Sequence, residues 1–352
     1  MSSTPPTVIA RTDGGVGHLT LNRPRAINAL DHDMIVQLGA ALTAWERDPD
    51  VQIVVIDGAG ERGFCAGGDV RALYDDLVAG HTPRVGAYFR AEYALNARIA
   101  EYPKPVVALA DGITMGGGIG LAGHAAVRVV TDRSRLAMPE TRIGFTPDVG
   151  GTWLLAHAPG RIGEYLALTG AVMDAADAIY AGFADHFVPR DRLADLRDAL
   201  ITRADPQTPT ELVYLFDETP APSHLEAARP WIDDAFAADT VADVFARLRA
   251  RPEPDARAAA DTLLELSPTA MAVTLTAVRA ARTLPDLRQA LAQEYGLVMW
   301  FARTQPDLPE GIRAQLVDKD RSPSWRPAAL ADVAADLGRV ALAVVPDPPL
   351  WG

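Results

Sequence analysis

Two apolar runs, Val51 to Ile56 and Val106 to Ala110, are each followed by a glycine-rich turn and then by a helix-forming stretch. This repeat of strand, glycine turn and helix constrains the fold more than any other feature of the chain. The first run is rich in β-branched residues, which favours a buried strand. Two such strands separated by helix imply a crossover onto a parallel sheet. The first turn reads Gly58-Ala59-Gly60-Glu61-Arg62-Gly63-Phe64-Cys65-Ala66-Gly67-Gly68-Asp69, and the second opens at Asp111-Gly112 and carries Gly116, Gly117, Gly118 and Gly120. Glycines admit backbone conformations closed to other residues and let a ligand approach the main chain. The apolar stretch Ile119 to Ala126 then suits a helix whose first N–H groups point back toward such a ligand. Two units of this kind in one sheet can aim two sets of N–H groups at one point.

The flanking pattern agrees with a mixed fold. Val8 to Arg11 and Val16 to Leu21 flank Asp13-Gly14-Gly15, a hairpin signal. Met34, Ile35, Leu38, Leu42 and Trp45 recur at helical spacing between Asp31 and Glu46. Helices are expected at 161–168, 175–180 and 190–203, with a short strand at 185–188. After Asp205-Pro206-Gln207-Thr208-Pro209 the pattern is helical only, at 210–216, 223–250, 255–266, 268–283, 285–303 and 327–337. The expected architecture is α/β, with a core over 1–205 and an all-helical C-terminal region over 206–352 packed on it.

A formal net charge of -13 leaves no basic excess for neutralising nucleic-acid phosphates, although a local cluster of Arg and N–H groups can still hold a small anion. Cys65 is the single cysteine, which excludes an intrachain disulfide and a Cys-based metal cluster. The start MSSTPPTVIARTDGG lacks the pattern of a signal peptide, and no apolar run approaches the ~20 residues of a membrane span. A cytoplasmic protein without membrane or nucleic-acid partners is the expectation.

The chemistry narrows to carboxylates. Gly118-Ile119-Gly120-Leu121-Ala122-Gly123 fits a dinucleotide fingerprint in letters only, because the preceding strand ends near Ala110, too early for the first glycine. No G-x-S-x-G occurs, and the seven histidines show no metal-ligand spacing. Pro139-Glu140 and Pro147-Asp148 place two acids on rigid turns after the second glycine cluster. Asp148 also suits an ordinary helix N-cap, and Glu140 a solvated first-turn position. In the helix expected at 83–102, Val85, Tyr88, Phe89, Leu95 and Ile99 form an apolar stripe, with Glu92 near its centre. A carboxylate there faces a wet site, pairs with an Arg, or marks a frayed stripe.

The segments FCAGGDV at 64–70 and GITMGGGIGLA at 112–122 resemble the two glycine turns of the crotonase (enoyl-CoA hydratase/isomerase) superfamily. That resemblance implies a crotonase-like ββα superhelix, acyl-CoA substrates, and an oxyanion hole from the N–H groups of Gly68 and Gly117. It also implies substrate contacts at Ala66, Gly67 and Asp69, and at Arg25 and Ala26 within NRPRAINAL at 22–30. Within the superfamily, AEYALN at 91–96, AMPETRIGFTPDVGG at 137–151, LSPTAM at 266–271 and LVDKDRSPSWRP at 316–327 resemble the 3-hydroxyisobutyryl-CoA hydrolases. By that resemblance Glu92, Gly117, Glu140 and Asp148 are the substrate-site residues, with Glu140 and Asp148 the catalytic pair. CoA enters as part of the substrate, with no metal or separate cofactor, and the family resemblance implies a homo-oligomer, a trimer or hexamer.

One departure from the hydratases carries weight. Their first catalytic glutamate would fall at Gly120, so only the second acid, Glu140, remains, while Asp148 stands where they typically have glycine. Syn addition of water to a double bond wants both acids. The expected function is therefore thioester hydrolysis, on a branched 3-hydroxyacyl-CoA of valine breakdown. An enoyl-CoA hydratase or isomerase, and a non-catalytic acyl-CoA-binding subunit, are the competing readings.

Overall fold

The computed structural model describes residues 5–205 and 207–352. The first four residues of the start read above, and residue 206 at the expected domain boundary, lie outside the described residues. Nine strands occur, β1 Val8–Asp13, β2 Val16–Leu21, β3 Ile53–Gly58, β4 Gly63–Cys65, β5 Val106–Ala110, β6 Ile113–Met115, β7 Val127–Val130, β8 Arg135–Ala137 and β9 His186–Phe187. The helices of the first half are α1 His32–Glu46, α2 Val70–Val78, α3 Thr82–Ala100, α4 Gly117–Ala122, α5 Gly151–His157, α6 Ile162–Thr169, α7 Ala175–Tyr180, α8 Leu193–Thr202 and α9 Pro209–Tyr214. Those that follow are α10 His224–Phe236, α11 Val241–Ala250, α12 Pro254–Leu263, α13 Pro268–Ala281, α14 Leu287–Thr304, α15 Asp307–Ile312 and α16 Leu337–Leu342. No helix among the described residues is long and apolar enough to cross a membrane.

Two compact units are interleaved along the chain, so they do not follow a single cut at 205/206. One comprises Met1–Gly68, Ala94–Leu136 and Met173–Pro222, the other Asp69–Tyr93, Ala137–Val172 and Ser223–Gly352. The first holds a six-stranded sheet in the order β1-β2-β3-β5-β7-β9, parallel except for the β1–β2 hairpin. Val16, Ile53, Val55, Val107, Leu109, Val127 and Val129 of this sheet pack with Leu193, Leu196 and Leu200 of α8 in one buried cluster. Both strands that preceded the glycine turns in sequence are therefore adjacent, with Val55 opposite Val107. A small second sheet, β4-β6-β8, grows out of the glycine stretches themselves. Three-residue strands carry no readable periodicity, which is why that sheet was not expected.

The second unit is helical. Helix α13 buries ten residues and packs against α5, α6, α14 and α16. Ser267 caps it by accepting from Ala270 N–H, with Pro268 at the first position as the sequence predicts. The buried Glu164 of α6 pairs with Arg161 and Arg282 at 2.7 Å each and with Arg279 at 3.6 Å. This offsets the cost of burying its charge.

Three expected helices differ. The stretch 223–250 is two helices, because Thr240 accepts from Asp243 N–H and starts α11 anew. The helix expected at 327–337 is replaced by a turn at Leu330–Asp332 and then α16, since no residue between 327 and 337 is buried to offset the entropy of a longer helix. The helix expected at 119–126 is α4, which starts at Gly117 and ends at Ala122, and β7 follows at once.

Candidate active site

In the first unit the two glycine turns touch. Gly67 adopts φ +108°, and a Cβ there would stand 3.2 Å from Met115 O and 3.6 Å from Gly117 N. Only glycine brings these backbones so close. A parallel bridge joins Gly68 to Leu30, and Ala66 N–H donates to Ile27 O at 2.8 Å. Asn28, fully buried at φ +56°, holds this junction. Its amide donates to Ala59 O, Gly63 O and Phe64 O at 3.0, 3.1 and 3.0 Å, while Oδ1 accepts from Arg23 N–H at 2.9 Å. Arg25 and Ala26 lie on the exposed turn Pro24–Ala26, where the Arg62 guanidinium donates to Pro24 O and Arg25 O. The loop called a CoA contact is thus fastened to the first glycine turn, and sequence reasoning did not single out Asn28.

The acids gather in the second unit. On α3, Val85, Phe89 and Tyr93 are buried at helical spacing and Glu92 is only 2% exposed, so the carboxylate read near the centre of the apolar stripe is a buried one. Glu140 is buried as the first residue of the turn Glu140–Ile143, which Gly144 ends at φ +69°. A Cβ on Gly144 would stand 2.3 Å from Asp307 O. Asp307 itself accepts from Ser267 Oγ at 2.6 Å and from Arg326 N–H at 2.8 Å, and Thr274 Oγ1 meets Thr146 Oγ1 at 2.9 Å. The C-terminal helical region therefore buttresses the segment that carries Glu140 and Asp148.

Asp148 is not the cap of α5. The N-cap is Gly150, with no side-chain capping bond, and Asp148 Oδ2 instead accepts from the Tyr93 hydroxyl at 2.8 Å. The ordinary explanations of Asp148 as N-cap and Glu140 as solvated acid both fail on burial and hydrogen bonding. A fourth acid joins them. Glu294 of α14, fully buried, accepts from Gly150 N–H at 2.6 Å, Thr152 N–H at 2.9 Å and Thr152 Oγ1 at 2.5 Å. Of the residues expected to contact substrate, Asp69 belongs to this unit as the N-cap of α2, without a capping side-chain bond.

Burial is the largest influence on every member of the cluster. Tyr93, which holds Asp148, packs in a run of aromatic rings, with centroids 5.9 Å apart for Phe89–Tyr93, 6.0 Å for Phe89–Phe145 and 6.4 Å for Tyr93–Tyr295. Burial and then the charge of Asp148 hold Glu92 and Glu140 well above the usual carboxylate range. Burial also pushes Asp148 up to about 7, against the lowering effect of the Tyr93 hydrogen bond. It pushes Glu294 up to about 8, against the lowering effect of the Thr152 and Gly150 donors. Burial thus favours the protonated form of all four acids, while the Tyr93 hydroxyl favours the ionised form of Asp148. Glu92 Oε1 and Glu140 Oε2 are buried without a hydrogen-bond partner. A buried carboxyl of raised pKa is suited to proton transfer.

Tyr93 and Glu294 were missed in the sequence. Tyr93 reads as plain core, but Glu294 had a signal. It interrupts the apolar face Ala290, Leu291, Tyr295, Leu297 and Val298 of α14 just as Glu92 interrupts that of α3.

The sequence profile described as enoyl-CoA hydratase/isomerase matches residues 16–340. A curated relative from Gallus gallus, "3-hydroxyisobutyryl-CoA hydrolase, mitochondrial", is 40% identical over 343 residues, covering 93% of this chain and 86% of its own. A solved carnitinyl-CoA dehydratase from Mycobacterium thermoresistibile superposes with TM-score 0.93 at 47% identity, covering 98% of both chains. A solved enoyl-CoA hydratase from Rhodobacter sphaeroides 2.4.1 gives TM-score 0.92 at 43% identity, covering 99% of this chain and 100% of its own. The expected α/β crotonase-like fold is the observed one. The cytoplasmic expectation is corrected, since the curated hydrolases of this kind are mitochondrial by name. Composition cannot supply a compartment, because residues that pack one enzyme in the cytosol pack it equally well elsewhere.

Proposed function

The chain belongs to the enoyl-CoA hydratase/isomerase family, and from that premise we propose that it hydrolyses acyl-CoA thioesters, with 3-hydroxyisobutyryl-CoA as substrate and a place in valine breakdown. The observation that carries this reading is Asp148, turned away from helix capping and held by Tyr93 beside a buried Glu140 with an unpartnered oxygen. A hydratase-like pair needs its first acid where this chain has Gly120, which lies within the buried α4.

In its ionised form, which a raised pKa makes the stronger base, Glu140 takes a proton from a water whose oxygen attacks the thioester carbon. The tetrahedral adduct collapses with C–S cleavage, and the CoA sulfur recovers the proton. A second route has Glu140 attack the carbon itself to give an anhydride that water then opens. Single turnover in ¹⁸O-water that leaves the product unlabelled and Glu140 labelled identifies the second, because only an anhydride opened at the Glu140 carbonyl puts enzyme carboxylate oxygen into the product. The role of the Gly68 and Gly117 N–H groups as oxyanion donors is proposed from the family resemblance, as are the contacts of Ala66, Gly67, Asp69, Arg25 and Ala26 with substrate. Assembly into trimers or hexamers belongs to the same reading and is tested by light scattering.

The hydratase reading has a specific support, because the two solved neighbours described above are named a dehydratase and a hydratase. Thiol release from 3-hydroxyisobutyryl-CoA, with negligible loss of the enoyl absorbance of crotonyl-CoA, is the expected outcome. Efficient hydration of crotonyl-CoA without thiol release would replace the hydrolase reading by the hydratase one. In the hydrolase, Asp148→Gly abolishes thiol release without creating hydratase activity, since the position of a hydratase's first acid is still occupied by Gly120.

A further inference from the structure

Helix α5 is capped from outside its own segment. Its N-cap residue Gly150 has no side chain to offer, and the carboxylate of Asp148, the acid that local sequence supplies for the purpose, is on the Tyr93 hydroxyl, leaving only its carbonyl to accept from Gly151 N–H at 2.6 Å. The N–H groups of Gly150 and Thr152 and the Thr152 hydroxyl are instead taken by the carboxylate of Glu294, which reaches in from α14. Between the acid and the helix the backbone is strained. Val149 has φ +54° and Gly150 φ +78°, and a β-branched residue in the left-handed region is rare. Such a conformation persists only where its surroundings over-determine it, and the bonds to Glu294 supply that constraint from 142 to 144 residues away.

We propose that Glu294 is a positioning residue for hydrolysis: by taking over the cap of α5 it keeps the Asp148 carboxylate off the helix N-terminus and on the Tyr93 hydroxyl. Without Glu294, the buried N–H groups of Gly150 and Thr152 lose their acceptor. Asp148 is then the nearest carboxylate in sequence able to replace it, and it turns toward them. The C-terminal helical region thereby acts on the reaction through one side chain, without touching substrate. The activity consequence rests on the hydrolytic reading above, whereas the orientation of Asp148 does not.

The test compares Glu294→Ala and Glu294→Gln, each alone and combined with Asp148→Asn, by thiol release from 3-hydroxyisobutyryl-CoA, with crystal structures of the single Glu294 variants. Glu294→Ala lowers kcat at least about 10-fold with KM changed by less than about 3-fold. Glu294→Gln recovers most of that loss, because its amide oxygen still accepts from Thr152. On the Asp148→Asn background Glu294→Ala costs less than about 2-fold, since the route through Asp148 is already gone. In the Glu294→Ala crystal the Asp148 carboxylate has left Tyr93 for the N–H groups of Gly150 and Thr152. Losses that multiply in the double variant, or Asp148 still on Tyr93 in that crystal, overturn the proposal. If Glu294→Ala does not fold, Glu294→Ser, whose side chain is too short to reach Gly150 and Thr152, carries the same cycle, and a kcat loss that persists undiminished on the Asp148→Asn background overturns it equally. If the wild type releases no thiol, the hydrolytic reading fails by itself, and the orientation of Asp148 in the crystal still decides this inference.

Discussion

The Tyr93 hydroxyl donates to Asp148 Oδ2 at 2.8 Å, linking helix α3 to the turn before α5 across 55 residues of chain. The bond stabilises the ionised form of an acid that burial otherwise favours as neutral. It also shows that the residue next to Glu92, by sequence an ordinary core tyrosine, belongs to the site.

Tyr93→Phe removes that bond while keeping the ring packed against Phe89 and Tyr295. Asp148 then loses an influence that lowers its pKa, so the acidic limb of the pH–kcat profile moves to higher pH. Turnover at neutral pH falls by roughly 10-fold, in the range of losing one charge-assisted hydrogen bond. An unshifted limb in a folded Tyr93→Phe enzyme would show that Asp148 does not act as a carboxylate.

Glu140→Gln retains size and much of the hydrogen bonding but can neither take a proton nor attack a carbonyl. Its kcat falls at least ~100-fold, in line with loss of a general base or nucleophile. Thermal unfolding stays close to wild type, because a buried acid of raised pKa has been replaced by a neutral amide of the same shape. Full activity in this variant removes the mechanism.

Glu92→Leu separates function from stability. The variant loses turnover, while its unfolding free energy at pH 8 equals or exceeds that of wild type, since a carboxylate that resists ionisation in place has been replaced by an apolar side chain. Thiol release and urea unfolding of the same preparation give both numbers. An Glu92→Leu enzyme with wild-type kcat and KM would return this glutamate to a packing role.

Stability falls as pH rises above the ordinary carboxylate range. Glu92, Glu140, Asp148 and Glu294 all have folded pKa values above their unfolded ones, so the native state binds more protons than the unfolded chain. Their contribution is complete below about pH 4 and is lost as pH rises through the folded values, about 7 for Asp148 and about 8 for Glu294. Asp57 has the opposite sign, its pKa being lowered by His18 and Arg197 against burial, and it titrates below that window. Urea unfolding at pH 6 and pH 8.5 should therefore show lower stability at the higher pH, with a smaller difference in Asp148→Asn. Equal stability at the two values contradicts a cluster of buried acids with raised pKa values.

Much of the fold follows from local chemistry that a sequence displays. The β-branched runs, the glycine turns behind them and the capped helix after Ser267 each depend on neighbours within a few residues, so their pattern is visible before folding. Glu92 was legible for the same reason, as a charge near the centre of the apolar stripe of its own helix. Glu140 and Asp148 were legible as acids on proline turns, and the family resemblance assigned their roles. What tertiary structure alone decided is which partner each group takes. Asn28 holds backbone carbonyls 31 to 36 residues away, and Glu294 caps a helix from 142 residues away, bonds that leave no periodicity in the chain. The competition between Asp148 and Glu294 for the α5 N-terminus is the clearest case. Local spacing favours Asp148, and only the packing of α14 against α5 supplies a second carboxylate that displaces it and leaves the first one to the site.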